Sequence, residues 1–252
     1  MKERVASAQI DESVSFEDRV FSLLDRTEYR IIRTAEDLEE VGRLRFRSFD
    51  AKQIYPGRYK DVMLDAYEHD SHAFTIGVYI DEKLVSSVRL QLITPDHRVS
   101  PAFDWFPDIL HPLLDQGMSF IDPNRLAVDL DVAQSMPGLP HITLRPAVMA
   151  TAFFKASACL ACVKKEHAAF YRRIFRSTMI GAPIEADNVN VTPVLFSSPR
   201  SNIPDTCRRY PFYSFLEQEA ELLFGKPKAD EPWPLTVLPT ARMAVRRNAL
   251  AA

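Results

Sequence analysis

The spacing of apolar positions divides the chain into helix-like and strand-like runs in mixed order. FEDRVFSLLDR (16–26) places apolar residues at helical spacing, and EYRIIR (28–33) follows as a short strand. TAEDLEEVGRLRFRSFDAK (34–52) is helical, with Thr34 and Asp37 forming a capping box at its start. After a polar, turn-rich stretch at 53–72, FTIGVYI and LVSSVRLQLI alternate on either side of the turn DEK, which predicts strands at about 73–81 and 84–93. Segment 94–120, with aromatic residues and prolines but no clean period, reads as loop and short helix. Next come a strand at 124–130, a break at SMPGLP, a helix over 142–157, the strand CLACV (159–163), a helix over 166–176 and a strand over 189–198.

This order predicts an α/β fold, a mixed central sheet flanked by helices, over residues 29–204. Residues 1–28 read as an N-terminal extension. Residues 205–252 read as a C-terminal one: the amphipathic run FYSFLEQEAELLFG, the stretch PKADEPWPLTVLP whose prolines oppose regular structure, and a mildly basic tail. There are no internal repeats.

Composition narrows the function classes. With 252 residues, 46% hydrophobic and 26% charged, the chain is a globular protein able to bury one large core. A formal net charge of −3 argues against a nucleic-acid partner held by phosphate neutralisation. The N-terminus lacks an apolar signal core and no run approaches the roughly 18 apolar residues of a membrane span, so the expected location is cytoplasmic, with no transmembrane segment. Three cysteines give no disulfide framework; Cys159 and Cys162, three apart on a strand, face opposite sides and read as structural. The six histidines show no ligand spacing beyond His69 and His72 in a polar loop, and no metal is expected.

Three islands of charge stand against this apolar background: LRFRSF at 44–49, DAYE at 65–68 with Arg89 downstream, and DPNRLAV at 122–128. Each alone is an ordinary surface feature. Their spacing is more informative, because a carboxylate cluster before one strand and an arginine inside the next can meet across a hairpin, and a partly buried arginine needs such a partner.

On these residues the chain resembles the acyl-homoserine lactone synthases and, more closely, the related N-acyl amino acid synthases, both variants of the GNAT acyltransferase fold. The family order runs R-x-x-x-F, D-x-Y-D, an aromatic opening a strand, an arginine in the following strand, then E-x-S-R-F. Here it is met by Arg45 and Phe49, then Asp65-Ala66-Tyr67-Glu68, Phe74, Arg89 and Asp122-Pro123-Asn124-Arg125-Leu126, within a resemblance spanning roughly 29–200. HAAFYRRIF also resembles a later helix signature of that fold, with Tyr171 in the tyrosine place. The departures matter as well. Tyr55 stands where lactone synthases carry a tryptophan near adenosylmethionine, Glu68 replaces aspartate and Asp122 replaces glutamate. The expected acceptor is therefore an ordinary amino acid.

The resemblance implies an N-acyltransferase that joins a fatty acyl group from an acyl carrier protein thioester to the α-amino group of an amino acid, with no tightly bound cofactor. The loop 129–145, where a GNAT enzyme would cradle coenzyme A pyrophosphate, has one glycine, Gly138, and two aspartates, which favours a carrier protein over acyl-CoA as donor. Amide formation needs a neutral amine, so Asp122 is the candidate base, oriented by Arg125; an adjacent arginine would lower its pKa and turn its role toward positioning. Arg45 and Arg89 suit the acceptor carboxylate, with Asp65 and Glu68 balancing their charge, unless the four form a structural ion network. Phe49, Tyr55 and Tyr171 complete the expected substrate contacts, and residues of 142–154 and 159–163 suit an acyl tunnel or an ordinary core. Lys164, Lys165, Arg172, Arg173 and Arg176 form the expected docking patch for an acidic carrier protein. Alternatives are a lactone synthase, an acetyl-CoA-dependent small-amine acetyltransferase and a catalytically silent relative that binds carrier protein or lipid.

Overall fold

The computed structural model describes residues 14–185, 189–226, 232 and 234–250. Its strands are β1 (Thr27–Ile31), β2 (Ala73–Ile80), β3 (Lys83–Ile93), β4 (Phe120–Val128), β5 (Ala158–Lys164), β6 (Thr178–Gly181) and β7 (Pro193–Pro199). They form one mixed sheet in the order β1-β2-β3-β4-β5-β7-β6. Asp81 and Glu82, both in the left-handed region at φ 50° and 65°, make the tight turn that joins β2 to β3.

The helices are α1 (Phe16–Leu24), α2 (Ala35–Asp50), α3 (Pro107–Asp115), α4 (Leu130–Ala133), α5 (Leu139–Phe153), α6 (Ala168–Phe175), α7 (Ile203–Arg209), α8 (Glu217–Phe224) and α9 (Ala241–Leu250). The Thr34 side chain caps α2 by accepting from the Asp37 amide at 3.1 Å. On one face of the sheet α1, α5, α6 and α8 bury Val20, Leu24, Ile142, Met149, Phe175 and Leu223 against Ile76, Val88 and Leu90. On the other face α2 brings Val41 and Leu44 onto Tyr79 and Ala127, and α3 brings Leu110 and Leu114 onto Ile93 and Phe120. Each such fully buried side chain contributes about 1.5–3 kcal/mol relative to exposure.

One irregularity positions the site. β4 runs parallel to β5 but pairs with it only at Phe120–Ala158 and Ile121–Cys159. Pro123 then offers no N–H, Arg125 takes a left-handed φ of 52°, and the β3–β4 register shifts between Ser87 and Arg89. β4 therefore bends away while β5 continues along β7, leaving a wedge between the two strands.

Several expectations change. β4 starts at Phe120 rather than 124, and α5 at Leu139 rather than 142, with Pro140 in its first turn where a missing N–H is harmless. The short strand β6 and helix α7 are additional elements, and the basic tail forms α9. The expected C-terminal helix is present as α8, and the described residues of 205–250 are tied into the main core. Arg145 and Glu219, both buried, form an ion pair with a 2.8 Å Nη2–Oε2 bond; Arg145 also donates to Phe212 and Ser214 carbonyls, and Glu219 accepts from the Thr240 amide at 2.9 Å. Val237 exchanges backbone bonds with Tyr29 of β1, and α1 belongs to the main core. Residues 227–231 and 233 of the proline-rich stretch, and 1–13 of the expected N-terminal extension, lie outside the described residues.

Candidate active site

The wedge opens into a cavity of about 290 Å³ bounded by the end of α2, the segment after it, the turn at Pro101–Asp104, and the diverging strands β4 and β5. Asp122, Asn124 and Arg125 of β4 line it, with Phe49, Tyr55 and Trp105 as aromatic wall. Asp122 is fully buried. Its Oδ2 accepts from the Ser100 hydroxyl and, at 3.4 Å, from Asn124 Nδ2. Its Oδ1 has no partner among the described residues. Ser100 is in turn fixed by the Ala102 amide at 3.1 Å. Burial raises the Asp122 pKa, opposed in part by Ser100, the Arg89 charge and Asn124.

This corrects two expectations. Arg125 does not orient Asp122: its Nε and Nη2 grip Asp65 Oδ2 at 2.8 and 2.7 Å, and its Nη1 donates to the Tyr55 hydroxyl at 2.7 Å. The Asp122 pKa moves up rather than down, because the arginine expected to lower it is engaged elsewhere and burial dominates.

Arg45 and Arg89 likewise do not line the cavity as carboxylate receptors. Both are fully buried. Arg45 Nη1 meets Glu68 Oε1 at 2.5 Å, and Arg89 Nη1 reaches the same oxygen at 2.5 Å and Asp65 Oδ1 at 2.6 Å. Arg89 Nε donates to Asn124 Oδ1 at 2.8 Å, and Thr75 donates to Glu68 Oε2 at 3.0 Å. Burial lowers the Arg45 pKa to about 10, and its Nε and Nη2 lack partners among the described residues. For Asp65, burial would raise the pKa, but the hydrogen bonds and charges of Arg89 and Arg125 outweigh it and hold the group at about 2. The three islands of charge thus meet in one lattice, and Asn124 links it to the Asp122 carboxylate.

A second, apolar pocket, narrow at about 40 Å³, lies between α5, α6 and β5. Leu144, Ala147, Val148 and Thr151 of α5 face Cys159 and Ala161 across it. Pro123, Leu144 and Tyr171 border both spaces, so Tyr171 sits where they adjoin, its hydroxyl pKa raised by burial. Cys159 lines the apolar pocket and Cys162 the cavity, the opposite facing expected of residues three apart on a strand. Both are free, and burial pushes the Cys159 thiol up to about 12, leaving it unreactive.

The basic patch divides. Lys165, Arg172 and Arg173 are exposed, with Arg172 over the Phe196 ring at 5.3 Å. Arg176 is paired with Asp205 at 2.7 Å, and Lys164 lines the cavity instead of the outer helix face. Sequence reasoning missed Ser100, Lys52 and His167, which come from loops and element ends; only Asn124, inside DPNRL, had a visible signal. Among the described residues there is no His, Cys, Asp or Glu cluster suited to a metal ion, and no helix long and apolar enough to cross a membrane.

Comparison with known proteins follows the same residues. The family model described as N-acyl amino acid synthase FeeM matches residues 40–198, the stretch that holds Arg45, Asp65, Glu68, Arg89, Asp122, Arg125 and Tyr171. The solved structure of FeeM, an N-acyl amino acid synthase from uncultured soil microbes, is similar with a TM-score of 0.61 at 14% identity, covering 74% of this chain and 98% of that one. BjaI, a CoA-dependent acyl-homoserine lactone synthase solved with MTA, is similar with a TM-score of 0.51 at 17% identity, covering 70% of this chain and 82% of that one. No curated protein matches the chain. At these identities the structures establish the shared architecture, a GNAT-like mixed sheet flanked by helices.

Proposed function

The chain belongs to the FeeM N-acyl amino acid synthase family and is an N-acyltransferase, and we propose that it transfers a fatty acyl group from an acyl carrier protein thioester to the amino group of an amino acid. The observation that carries the reading is the free Oδ1 of Asp122, a buried carboxylate oxygen on the wall of a cavity that adjoins an apolar pocket. In the proposed reaction the acceptor ammonium gives a proton to Asp122, and the resulting amine attacks the thioester carbonyl. The C–N bond forms, the C–S bond breaks, and the second proton of the attacking nitrogen passes to the departing thiolate, relayed by the Tyr171 hydroxyl, which ends as it began, so the products are the amide and the free thiol. A carboxylate with a raised pKa is the stronger base for this step. Asp65, Glu68, Arg45 and Arg89 act through packing: they hold β3, Asn124 and Asp122 in register.

A carrier protein is favoured as donor by the start of α5. A Cβ built at Gly138 would lie 2.9 Å from Val20 Cγ2 and 3.2 Å from Leu23 Cδ1, so α1 is packed against the helix end that would otherwise receive a nucleotide pyrophosphate. The apolar pocket suits the acyl chain and the exposed Lys165, Arg172 and Arg173 suit an acidic carrier. Lipid extraction and mass spectrometry of cells expressing the protein test the reading: new N-acyl amino acids carry it, and their absence together with efficient acetyl-CoA turnover on simple amines overturns it.

A further inference from the structure

The cations expected to receive an acceptor carboxylate do not offer themselves to the cavity: Arg45 and Arg89 are buried behind its wall on Glu68 and Asp65, and Arg125 is held by Asp65 and Tyr55. The cavity nevertheless holds uncompensated positive charge. Lys52, just beyond α2, and Lys164, at the end of β5, both line it, and neither ammonium has a hydrogen-bond or carboxylate partner among the described residues. They act on each other instead: partial burial and the Lys164 charge lower the Lys52 pKa. His167 lines the same rim, and burial with the charges of Lys164 and Lys52 lowers its pKa against a smaller opposing effect of Glu166. Lys52 from beyond α2, and Lys164 and His167 from the end of β5 and the turn after it, thus face one space in which neither ammonium is paired with a carboxylate.

Lys164 is two residues past Cys162 on the same face of β5, about 6–7 Å along the strand, and Cys162 is close enough to Asp122 to feel its charge. The unpaired groups of the cavity are therefore an acidic oxygen on the β4 wall and two ammoniums at the rim. The complementary ligand is a zwitterion.

We propose that Lys52 and Lys164, with His167 beside them, form the site that binds the carboxylate of the acceptor amino acid while Asp122 receives its amine. The assignment rests on the proposed acceptor, so its test includes a readout that does not need turnover. Lys52→Gln, Lys164→Gln and the double variant keep much of the aliphatic stem and remove the charge. In the full-length double variant the KM for the acylated amino acid should rise about 10–100-fold, the range for a hydrogen-bonded charge pair, with the thioester KM changing less than about twofold. The amine that lacks the carboxylate should show no such rise. A raised thioester KM with an unchanged amino acid KM would place a donor phosphate here and overturn the carboxylate assignment, and no change in either would remove the site. Independently, NMR titration of His167 with sodium acetate or inorganic phosphate reads anion binding directly. A response to acetate in the wild type that the double variant loses supports the site, even where no amino acid is acylated and the function reading fails. A response to phosphate alone, or none, overturns it.

Discussion

Two neighbouring regions are built from the same kinds of side chain and solve opposite problems. In the lattice beneath the cavity, Arg45 and Arg89 share Glu68, and Asp65 bridges Arg89 to Arg125, so each guanidinium and each carboxylate is ion-paired within the protein, three arginines on two acids. On the cavity wall, Asp122 keeps one oxygen free and Lys52 and Lys164 face each other without an acid. The two carboxylates record the difference: paired Asp65 is held at about 2, whereas Asp122, with no direct arginine contact, is raised by burial. Compensated charge fixes the fold, and uncompensated charge is what a ligand can use.

The sharpest break between the regions is expected from removing the free carboxylate. Asp122→Asn should stay folded and lose about 10²–10⁴ in turnover, the range for general acid–base catalysis. Near wild-type turnover in the folded variant would take Asp122 out of the mechanism. Glu68→Gln should do the reverse. Removing one partner of a buried ion pair costs about 3–5 kcal/mol, which for a domain of this size lowers Tm by roughly 10 °C. An unchanged melting curve would show that the lattice does not hold the fold.

pH separates the two carboxylates by sign. Because the Asp122 pKa is raised, its base form is lost as pH falls through a value above the ordinary carboxylate range, so kcat/KM should show an acid limb there that is absent in Asp122→Asn. Ser100→Ala removes a hydrogen bond that lowers this pKa, and should move the limb further up. Asp65 behaves oppositely: its folded pKa is depressed, so its contribution to stability is complete above the unfolded value near 4 and is lost as pH falls toward about 2. Rate–pH profiles of the three proteins, with acid melts followed by circular dichroism, check both signs. An acid limb that stays in place in Ser100→Ala would break the link between Ser100 and the base.

Much of the lattice was legible in the sequence, because its members sit in boxes of fixed order and an arginine in an alternating strand demands a carboxylate. Which arginine meets which acid was not. Arg125 turns toward Asp65 because β4 bends at Pro123 and takes a left-handed φ at Arg125, and neither feature follows from apolar spacing. Ser100 and Lys52 escaped for a related reason: each reaches the cavity from a loop or element end, and only the tertiary fold brings them beside β4 and β5. How the C-terminal segment is anchored was not legible, because proline-rich composition hides the contacts that hold it, Arg145–Glu219 and the backbone bonds of Val237.

The smallest effect carries the comparison to the outer surface. Arg176, just past the end of α6, is paired with Asp205, which also holds Arg208 and Arg209, whereas Arg172 and Arg173 of α6 have no carboxylate partner among the described residues. By the reasoning that separates lattice from cavity, an acidic carrier should engage Arg172 and Arg173, and Arg176 should contribute little. Exposed pairs are worth only about 0.2–1 kcal/mol each, so Arg172→Glu with Arg173→Glu should raise the KM for acyl carrier thioester by about 3–10-fold. Added salt should shrink that difference by screening both proteins. Arg176→Glu, which also repels Asp205, should lower Tm more than it changes that KM. Equal KM increases from Arg176→Glu and from the double reversal would mean that pairing within the chain does not decide which cations the carrier meets, and indifference of the thioester KM to both would remove the docking assignment.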